Sequence, residues 1–320
     1  MKTSIAVAVM LAALASIAAA QPYPGRPIRM VVPNPAGGAN DIVARIVAQK
    51  LGTLLGQQLV VDNRGGAGGA IGAEIVARAA PDGHTLIAAT FATHTTIPHL
   101  QKKIAYDPLR DFAPIALFVV QYSMLSAHPA FPPRTVGELI AYAKANPRAI
   151  NYASAGPGST SDFTGRMFAR LANIEITLVP YKGGGPAITA LLAGEAHTNF
   201  GPIPATASHI RAGRLKAIAV SGEKRSIAMP DVPTVAESGL PGFSASAWVG
   251  LMAPARAPRV IVEKLAAVSR EALDAPDVRE PLIKSGAEPA YKGPQAFAQF
   301  VRGEYERYGK LVRELGLSAL

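Results

Sequence analysis

Apolar residues recur along the first part of the chain with two alternating periods. Short runs rich in Val, Ile and Leu predict buried strands, and apolar positions three and four residues apart predict amphipathic helices between them. The predicted strands are residues 28–33, 58–62 and 85–89, and the predicted helices are residues 39–55 and 71–79. Strands and helices that alternate in this way favour a mostly parallel sheet with helices on its faces.

The same alternation resumes after Tyr122. The predicted strands of this second part are residues 150–153, 176–180, 198–200 and 215–220, and the predicted helices are residues 136–145, 160–171, 186–192 and 205–212. This succession predicts a second α/β unit. Residues 21–320 are enough for two domains of ordinary size.

The last part of the chain is mainly helical, with little strand between the predicted helices 259–273, 277–285 and 295–315. Three helices alone bury their apolar faces poorly, so we expect them to pack on the first sheet. Domain 1 then comprises residues 21–121 plus 247–320, and domain 2 comprises residues 122–246. Strand-like stretches at Ser123–Leu125 and Trp248–Leu251 would be the two crossovers, which together form a hinge.

The N-terminus has the features of a secretory signal peptide. Lys2 supplies a positive charge, residues 5–17 are almost wholly apolar, and Ala18–Ala20 ends the run with small residues. The apolar run is shorter than the ~20 residues that a membrane-spanning helix needs. We therefore expect cleavage after Ala20 and a periplasmic protein, rather than a membrane anchor at residues 1–20.

Composition and charge narrow the class of ligand. The sequence has no cysteine, which excludes disulfides, a thiol nucleophile and cysteine-based metal sites. Its six histidines do not have the spacing of zinc ligands on a helix, and we expect no metal or other cofactor. The formal net charge of +10 favours anionic partners. Because the basic residues are scattered, a small anion fits this charge better than nucleic acid does.

Three glycine-rich turns each follow a predicted strand and open a predicted helix, at residues 33–41, 153–161 and 180–186. The start of a helix leaves N–H groups without acceptors and carries a partial positive charge. Glycine lets the backbone approach a ligand closely. The turns are therefore candidate anion sites. Since ligands of open α/β sheets bind beyond the carboxyl ends of the strands, a cleft between the two units could use turns from both.

The candidate ligand contacts are the residues of these turns. They are Asn34, Ala36, Gly37, Gly38 and Asp41 in the first turn, Ser154, Gly156, Gly158, Ser159 and Thr160 in the second, and Lys182 beside the third. Side chains at helix starts are often plain caps, which is an alternative role for the polar residues of the first two turns. Lys182 could equally be a solvated loop lysine.

An enzyme is the alternative to a binding protein. Ser221 and Lys224 match the S-x-x-K pattern of penicillin-recognising enzymes, but the S-D-N and K-T-G motifs that accompany it are missing. No G-x-S-x-G or P-loop motif occurs. An exported serine hydrolase that uses Ser221 and Lys224 thus stays as an alternative to a carboxylate-binding protein.

At its glycine turns the chain resembles the Bug family, the extracytoplasmic receptors of tripartite tricarboxylate transporters. The matching segments run along the whole chain. They are residues 23–24, 26–28, 35–38 with Asp41, 61–72, 81–83, 106–108, 111–112, 152–154, 179–183, 229–234, 237–242 and 248–251. So many matches in the same order make the resemblance specific.

The resemblance implies a type II periplasmic-binding-protein fold with a two-crossover hinge that closes on its ligand. It implies that a ligand carboxylate sits between residues 34–41 and residues 154–160, held by backbone amides and bridging waters. The chain departs from the family at Asn34, where an aromatic residue is usual, and at Gly201-Pro202, where Asp-Asn is usual. Gly201 therefore joins the ligand-binding candidates, because the part of the pocket that selects the rest of the ligand differs here.

We expect a receptor that binds a small mono- or dicarboxylate and delivers it to membrane subunits of a tripartite tricarboxylate-type transporter. We expect a monomer that binds no nucleic acid. The resemblance also implies a second role, because some relatives serve as ligand sensors for two-component signalling.

Overall fold

The computed structural model describes residues 23–156, 159–314 and 316. The predicted signal peptide, residues 1–20, and the candidate Gly158 lie outside the described residues. Within them, ten strands form one mixed sheet: β1 Ile28–Val32, β2 Leu59–Asn63, β3 Thr85–Thr90, β4 Phe112–Ala127, β5 Asn151–Ser154, β6 Thr177–Pro180, β7 Thr198–Pro202, β8 Lys216–Val220, β9 Ser246–Pro254 and β10 Glu288–Lys292.

The helices lie between and after these strands. They are α1 Ala39–Leu55, α2 Ala70–Ala77, α3 Ile97–Leu100, α4 Val136–Ala145, α5 Thr160–Ala172, α6 Gly184–Ala193, α7 Ile203–Arg211, α8 Arg259–Asp274, α9 Pro276–Lys284 and α10 Pro294–Glu314. Short turns at Ala67–Gly69 and Ala92–Thr96 precede α2 and α3. None of the helices in the described part of the chain combines the length and the apolar character needed to cross a bilayer.

The first half of the sheet has the order β2-β1-β3-β9-β4. β1 pairs in parallel with β2 and β3, as the βαβαβ pattern predicts, whereas β9 runs antiparallel between β3 and β4. Fully buried residues of β1, such as Met30, share a core with Val47 of α1 and Leu265 of α8. The C-terminal helices thus pack on the first half of the sheet, because their apolar faces complete its core.

The second half continues from β4 through β7 and β5 to β6, and β8 also pairs with β4. β5 lies parallel to both β6 and β7. A cluster of aromatic side chains fills this half, in which Phe168 and Phe243 pack against Phe200 at ring-centroid distances of 5.8 Å. Buried aromatic groups of this size dominate the apolar area of a core.

β4 is the strand that passes through both halves. Its residues Phe112–Tyr122 pair with β9, and its residues Ser123–Ala127 pair with β7. The predicted crossover stretches lie in β4 and β9, which are neighbours. This change of pairing partner at Tyr122 supports our proposed division into domain 1, residues 21–121 plus 247–320, and domain 2, residues 122–246.

β10 corrects the expectation of little strand between the C-terminal helices. It lies between α9 and α10 and pairs antiparallel with β4 near Val119 and Val120. Its sequence, Glu-Pro-Ala-Tyr-Lys, has a proline and two charged residues, so no strand signal is visible locally. Glu288 is nevertheless buried. Hydrogen bonds from Ser226 Oγ and Ile227 N to its carboxylate, at 2.7 and 2.9 Å, offset the cost of this burial.

Candidate functional site

A cavity of about 330 Å³ lies where the two halves of the sheet meet. Both parts of the chain contribute walls: Ala39, Asn40, Gln121, Tyr122, Ser123, Ala155, Ser159, Thr160, Ser161, Gly184, Asn199, Phe200, Gly201, Pro202, Pro204, Ala247, Ser285 and Gly286. Every side chain in this lining is uncharged. The volume is at the small end of the range for ligand pockets, about 300–1,000 Å³. The cavity therefore suits a small molecule.

The starts of four helices of the described chain reach this cavity. Ala39 and Asn40 begin α1, Thr160 begins α5, Gly184 begins α6, and Pro202 and Pro204 flank the first residue of α7. Each of these helices follows directly on a strand, in the order β1-α1, β5-α5, β6-α6 and β7-α7. Because the first N–H groups of a helix have no intrahelical acceptor, the starts of α1, α5 and α6 favour a negative group. The α7 residues in the lining are prolines, which have no N–H to donate.

The first turn is held from behind by Asp41, which is 2% exposed. Its carboxylate accepts hydrogen bonds from Gly37 N at 2.8 Å, Asn63 Nδ2 at 2.9 Å and Arg45 Nε at 3.0 Å. Burial alone would raise the pKa of the Asp41 carboxyl, but the hydrogen bonds from these three donors outweigh it and hold the pKa below its ordinary value. Asp41 is thus a charged anchor of the turn.

The other first-turn candidates lie beside the cavity rather than in its lining. Ala36, Gly37 and Gly38 are exposed, and the adjoining Ala39 and Asn40 form the wall. Asn40 donates from Nδ2 to Asn34 Oδ1 at 3.0 Å, so the Asn34 side chain fixes a residue of the wall. Gly37 has a φ of +80°, which its glycine identity allows.

The second turn is organised by hydroxyl groups. Ser159 caps α5 by accepting a hydrogen bond from Asp162 N at 3.2 Å, and its hydroxyl also lies 3.2 Å from Ser161 Oγ. Ser161 Oγ in turn accepts from Ala155 N at 2.8 Å. The capping alternative thus describes Ser159 well, and the same residue lines the cavity with Thr160.

Two second-turn candidates support the cavity from behind. Ser154 is buried, and its Oγ accepts from Gly156 N at 3.3 Å. Its carbonyl accepts from Tyr181 N at 2.9 Å, which joins the second and third turns. Gly156 has a φ of +107°, and a Cβ there would lie 3.1 Å from Tyr181 O. Glycine is therefore required at this position by both conformation and space.

The third turn reaches the cavity through Gly184, whereas the Lys182 side chain is exposed and outside the lining. Lys182 thus has the surroundings of a solvated loop residue. Gly201 at the end of β7 does line the cavity. The carboxyl end of β7 is therefore part of the same site as the glycine turns.

Several lining residues have no signal in the sequence. Gln121, Tyr122 and Ala247 belong to β4 and β9, and Ser285 and Gly286 follow α9. Burial, with Glu288 and Glu223 nearby, raises the pKa of Tyr122 to about 12, so its hydroxyl keeps its proton at neutral pH. These residues meet the glycine turns only through tertiary packing, and a local motif could not have identified them.

The Ser221 hydroxyl has a structural role where the chain crosses between the halves. Ser221 is 1% exposed, accepts a hydrogen bond from Ser123 N at 2.9 Å and donates to Ala245 O at 2.6 Å. It thereby ties β4 to the segment that leads into β9. Lys224 is exposed.

Comparisons with known proteins agree with this architecture. A family model described as the tripartite tricarboxylate transporter family receptor matches residues 43–317. The BugT protein of Bordetella pertussis is 36% identical over 313 residues, which are 98% of this chain and 96% of that protein. A protein from the tcbD-tcbE intergenic region of Pseudomonas sp. strain P51 is 38% identical over 299 residues, which are 93% of this chain and 88% of that protein.

Solved structures give the same result. R. palustris Rpa4515, solved with adipate, has a TM-score of 0.80 and 34% identity, and the match covers 93% of this chain and 100% of that one. The periplasmic binding protein BugD has a TM-score of 0.77 and 36% identity over 93% of this chain and 100% of its own. MatC of Rhodopseudomonas palustris with bound malate has a TM-score of 0.74 and 39% identity, and the match covers 91% of this chain and 100% of that one.

The type II two-domain fold and the Bug resemblance expected from the sequence are confirmed by these comparisons. The chain belongs to the family of tripartite tricarboxylate transporter receptors, which are solute-binding proteins.

Proposed function

We propose that this receptor captures a small carboxylate in the cavity between its two halves and holds the negative group with backbone N–H groups at helix starts. The observation that carries the proposal is a cavity whose described lining has no charged side chain and at which α1, α5 and α6 begin. Each hydrogen bond to a charged group contributes about 1.5–3 kcal/mol. Four or five such bonds, less the cost of association, suffice for a micromolar complex at about −8 kcal/mol.

The relatives support this class of ligand. Rpa4515 was solved with adipate and MatC with malate, and both ligands are dicarboxylates. Both proteins align with more than nine-tenths of this chain. We extend the carboxylate class to this receptor and leave the number of carboxyl groups to experiment.

The cellular role follows from the family. We propose that the signal peptide is removed after Ala20, and that the mature monomer works in the periplasm and delivers its ligand to the membrane subunits of a tripartite tricarboxylate-type transporter. BugD, with 36% identity, is a periplasmic binding protein. Binding and release without turnover suit a receptor. The position of Ser221 supports this, because its hydroxyl already donates to Ala245 O and is buried, unlike a nucleophile that must reach a substrate.

A thermal-shift screen of mono- and dicarboxylates on the mature chain, residues 21–320, tests the proposal. A ligand that binds only the folded protein raises its melting temperature by mass action, and isothermal titration calorimetry then gives the affinity. We expect at least one small carboxylate to bind, whereas matched amides and alcohols without the negative charge should not. A screen in which no carboxylate shifts the melting temperature would contradict the proposal.

A further inference from the structure

An aromatic contact joins the two halves of the protein beside the cavity. Phe163 lies in the first turn of α5, three residues after Thr160 of the cavity lining. Its ring centroid lies 5.0 Å from that of Tyr308 on α10. Because α5 belongs to the second half of the sheet and α10 packs on the first half, this contact crosses from one half to the other.

Tyr308 is held in place by the first half. Phe91, which directly follows β3, meets the Tyr308 ring edge to face, with the ring centroids 4.7 Å apart. One turn earlier on α10, the Tyr305 carbonyl oxygen lies 2.9 Å from the Nε2 atom of His99 on α3. The first half therefore presents a fixed aromatic surface on which Phe163 docks.

All three rings are shielded from water. The exposed fraction is 5% for Phe91, 3% for Phe163 and 1% for Tyr308, and the three residues belong to one hydrophobic core. Aromatic side chains bury large apolar areas, so a movement that parted Phe163 from Tyr308 would expose this area to water at a cost in free energy. The contact therefore favours the arrangement in which the halves lie together.

The aromatic contact is separate from the strands that join the halves. β4 and β9 link them, and neither Phe163 nor Tyr308 belongs to these strands. Rotation of the halves about β4 and β9 would therefore change the distance between the two rings. Because Thr160 and Phe163 lie in the same turn of α5, a rotation that opens the cavity at Thr160 also draws Phe163 away from Tyr308.

We propose that Phe163 and Tyr308 form an apolar latch that keeps the halves together in the ligand-free receptor and parts before a ligand enters the cavity. Neither ring belongs to the described lining of the cavity, so the latch acts equally with and without ligand. A contact of equal strength in both closed states does not shift the equilibrium between them. Weakening the latch should therefore speed ligand entry and release together, with little change in affinity.

Binding kinetics test the latch on the mature chain. The probe is whichever of malate, adipate and butyrate binds most tightly, mixed with the protein by stopped flow. In Phe163→Leu and in Tyr308→Leu we expect the association and dissociation rate constants each to rise about tenfold, since an aromatic pair is lost. The dissociation constant should stay within about twofold of that of the unchanged receptor, because both rates change in the same direction.

Phe168→Leu is the matched control, because it makes the same substitution at a buried position of the same helix. The Phe168 ring packs on Phe200 and Phe243 within the second half. This variant should lose stability in denaturant unfolding but keep both rate constants. Faster rates in Phe168→Leu, equal to those of Phe163→Leu, would show general loosening of the core and would overturn the latch.

Small-angle X-ray scattering tests the closed resting state without any ligand. The double variant of Phe163→Leu with Tyr308→Leu should have a larger radius of gyration than the unchanged protein, whereas Phe168→Leu should not. Unaltered rate constants in both single variants, or equal radii in the unchanged protein and the double variant, would overturn the latch. Gating of entry rests on the proposed carboxylate-binding function, but the scattering result does not. A protein that binds none of the three acids yet expands in the double variant would contradict that function and keep the latch.

Discussion

The first and second glycine turns, residues 33–41 and 153–161, bring helix starts to the same cavity with anchors that differ in part. The first is anchored by the buried carboxylate of Asp41, which pairs with Arg45 and binds Gly37 N. The second has a buried aspartate at the same helix position, Asp162, which pairs with Arg166. It adds hydroxyls, of which Ser159 caps its helix and Ser161 binds Ala155 N. The turns thus share an aspartate–arginine pair, and the hydroxyl network belongs to the second turn.

The position of these ion pairs keeps formal charge out of the cavity. The Asp41 and Arg45 charges lie behind the first turn, where they compensate each other, and neither residue lines the cavity. A ligand carboxylate therefore meets helix starts rather than a fixed counter-ion. The two turns should respond alike to a charge placed in the cavity, whereas loss of the Asp41 carboxylate and loss of the Ser159 hydroxyl should differ in their dependence on pH.

An acidic residue at either helix start should have the largest effect. We expect Ala39→Asp and Thr160→Asp each to weaken carboxylate binding by about a hundredfold or more, because like charges repel strongly in a site of low dielectric. Isothermal titration calorimetry with the best ligand measures the loss. Gly137→Asp adds the same charge in the exposed first turn of α4, outside the cavity, and should keep the affinity. A large loss of affinity in only one of the two variants would show that the ligand carboxylate lies at that helix start alone.

The Asp41 anchor should have the next largest effect, and it acts on stability. We expect Asp41→Asn to lower the free energy of unfolding by about 1–3 kcal/mol at pH 7, because the amide removes the charge and replaces one accepting oxygen by an NH2 group. Denaturant unfolding measures this change, with Asp231→Asn at an exposed position as the control.

The same anchor should make stability depend on pH. Because the pKa of Asp41 is depressed in the folded protein, its contribution is present above the ordinary carboxyl pKa of about 4 and is lost as the pH falls through the lower folded-state value. The unchanged protein should therefore lose more stability in acid than Asp41→Asn does. If the free energy of unfolding fell equally in acid for the unchanged protein and for Asp41→Asn, Asp41 would not be the charged anchor.

The hydroxyl anchor of the second turn should give the smallest effect. Removal of a serine N-cap costs about 1 kcal/mol, so we expect Ser159→Ala to destabilise the protein by about that amount. The loss should not change between pH 4 and pH 7, since the hydroxyl carries no charge, and this separates the Ser159 cap from the Asp41 anchor. Ser208→Ala, at an exposed site on α7, should have little effect on unfolding by the same assay.

Much of the fold could be predicted because local pattern and tertiary structure agree. The predicted bounds of the helices 39–55 and 136–145 coincide with those of α1 and α4, since glycine or threonine caps and apolar periodicity mark these helices in the sequence. β10 could not be predicted, because its burial comes from pairing with β4 and not from its own residues. The full length of β4 was also hidden, since only Ser123–Leu125, near its end, was identified as a crossover.

The site could be predicted in part for the same reason. Glycine turns after strands have a local signature, which indicated Ser159 and Thr160 of the lining. The sequence could not show that the Gly37 amide is already bonded to Asp41, nor that Lys182 is turned to solvent. It gave no reason to consider Asn199, which lines the cavity and donates to Ala153 O only because β7 lies beside β5 in the folded sheet.

A crystal structure of the mature receptor with its best carboxylate tests the central claim most directly. We predict that the carboxylate oxygens lie about 2.7–3.2 Å from backbone nitrogen atoms at the starts of both α1 and α5, with no Lys or Arg side chain in contact. A carboxylate held by an arginine or lysine side chain, or by the amides of one helix start alone, would contradict it.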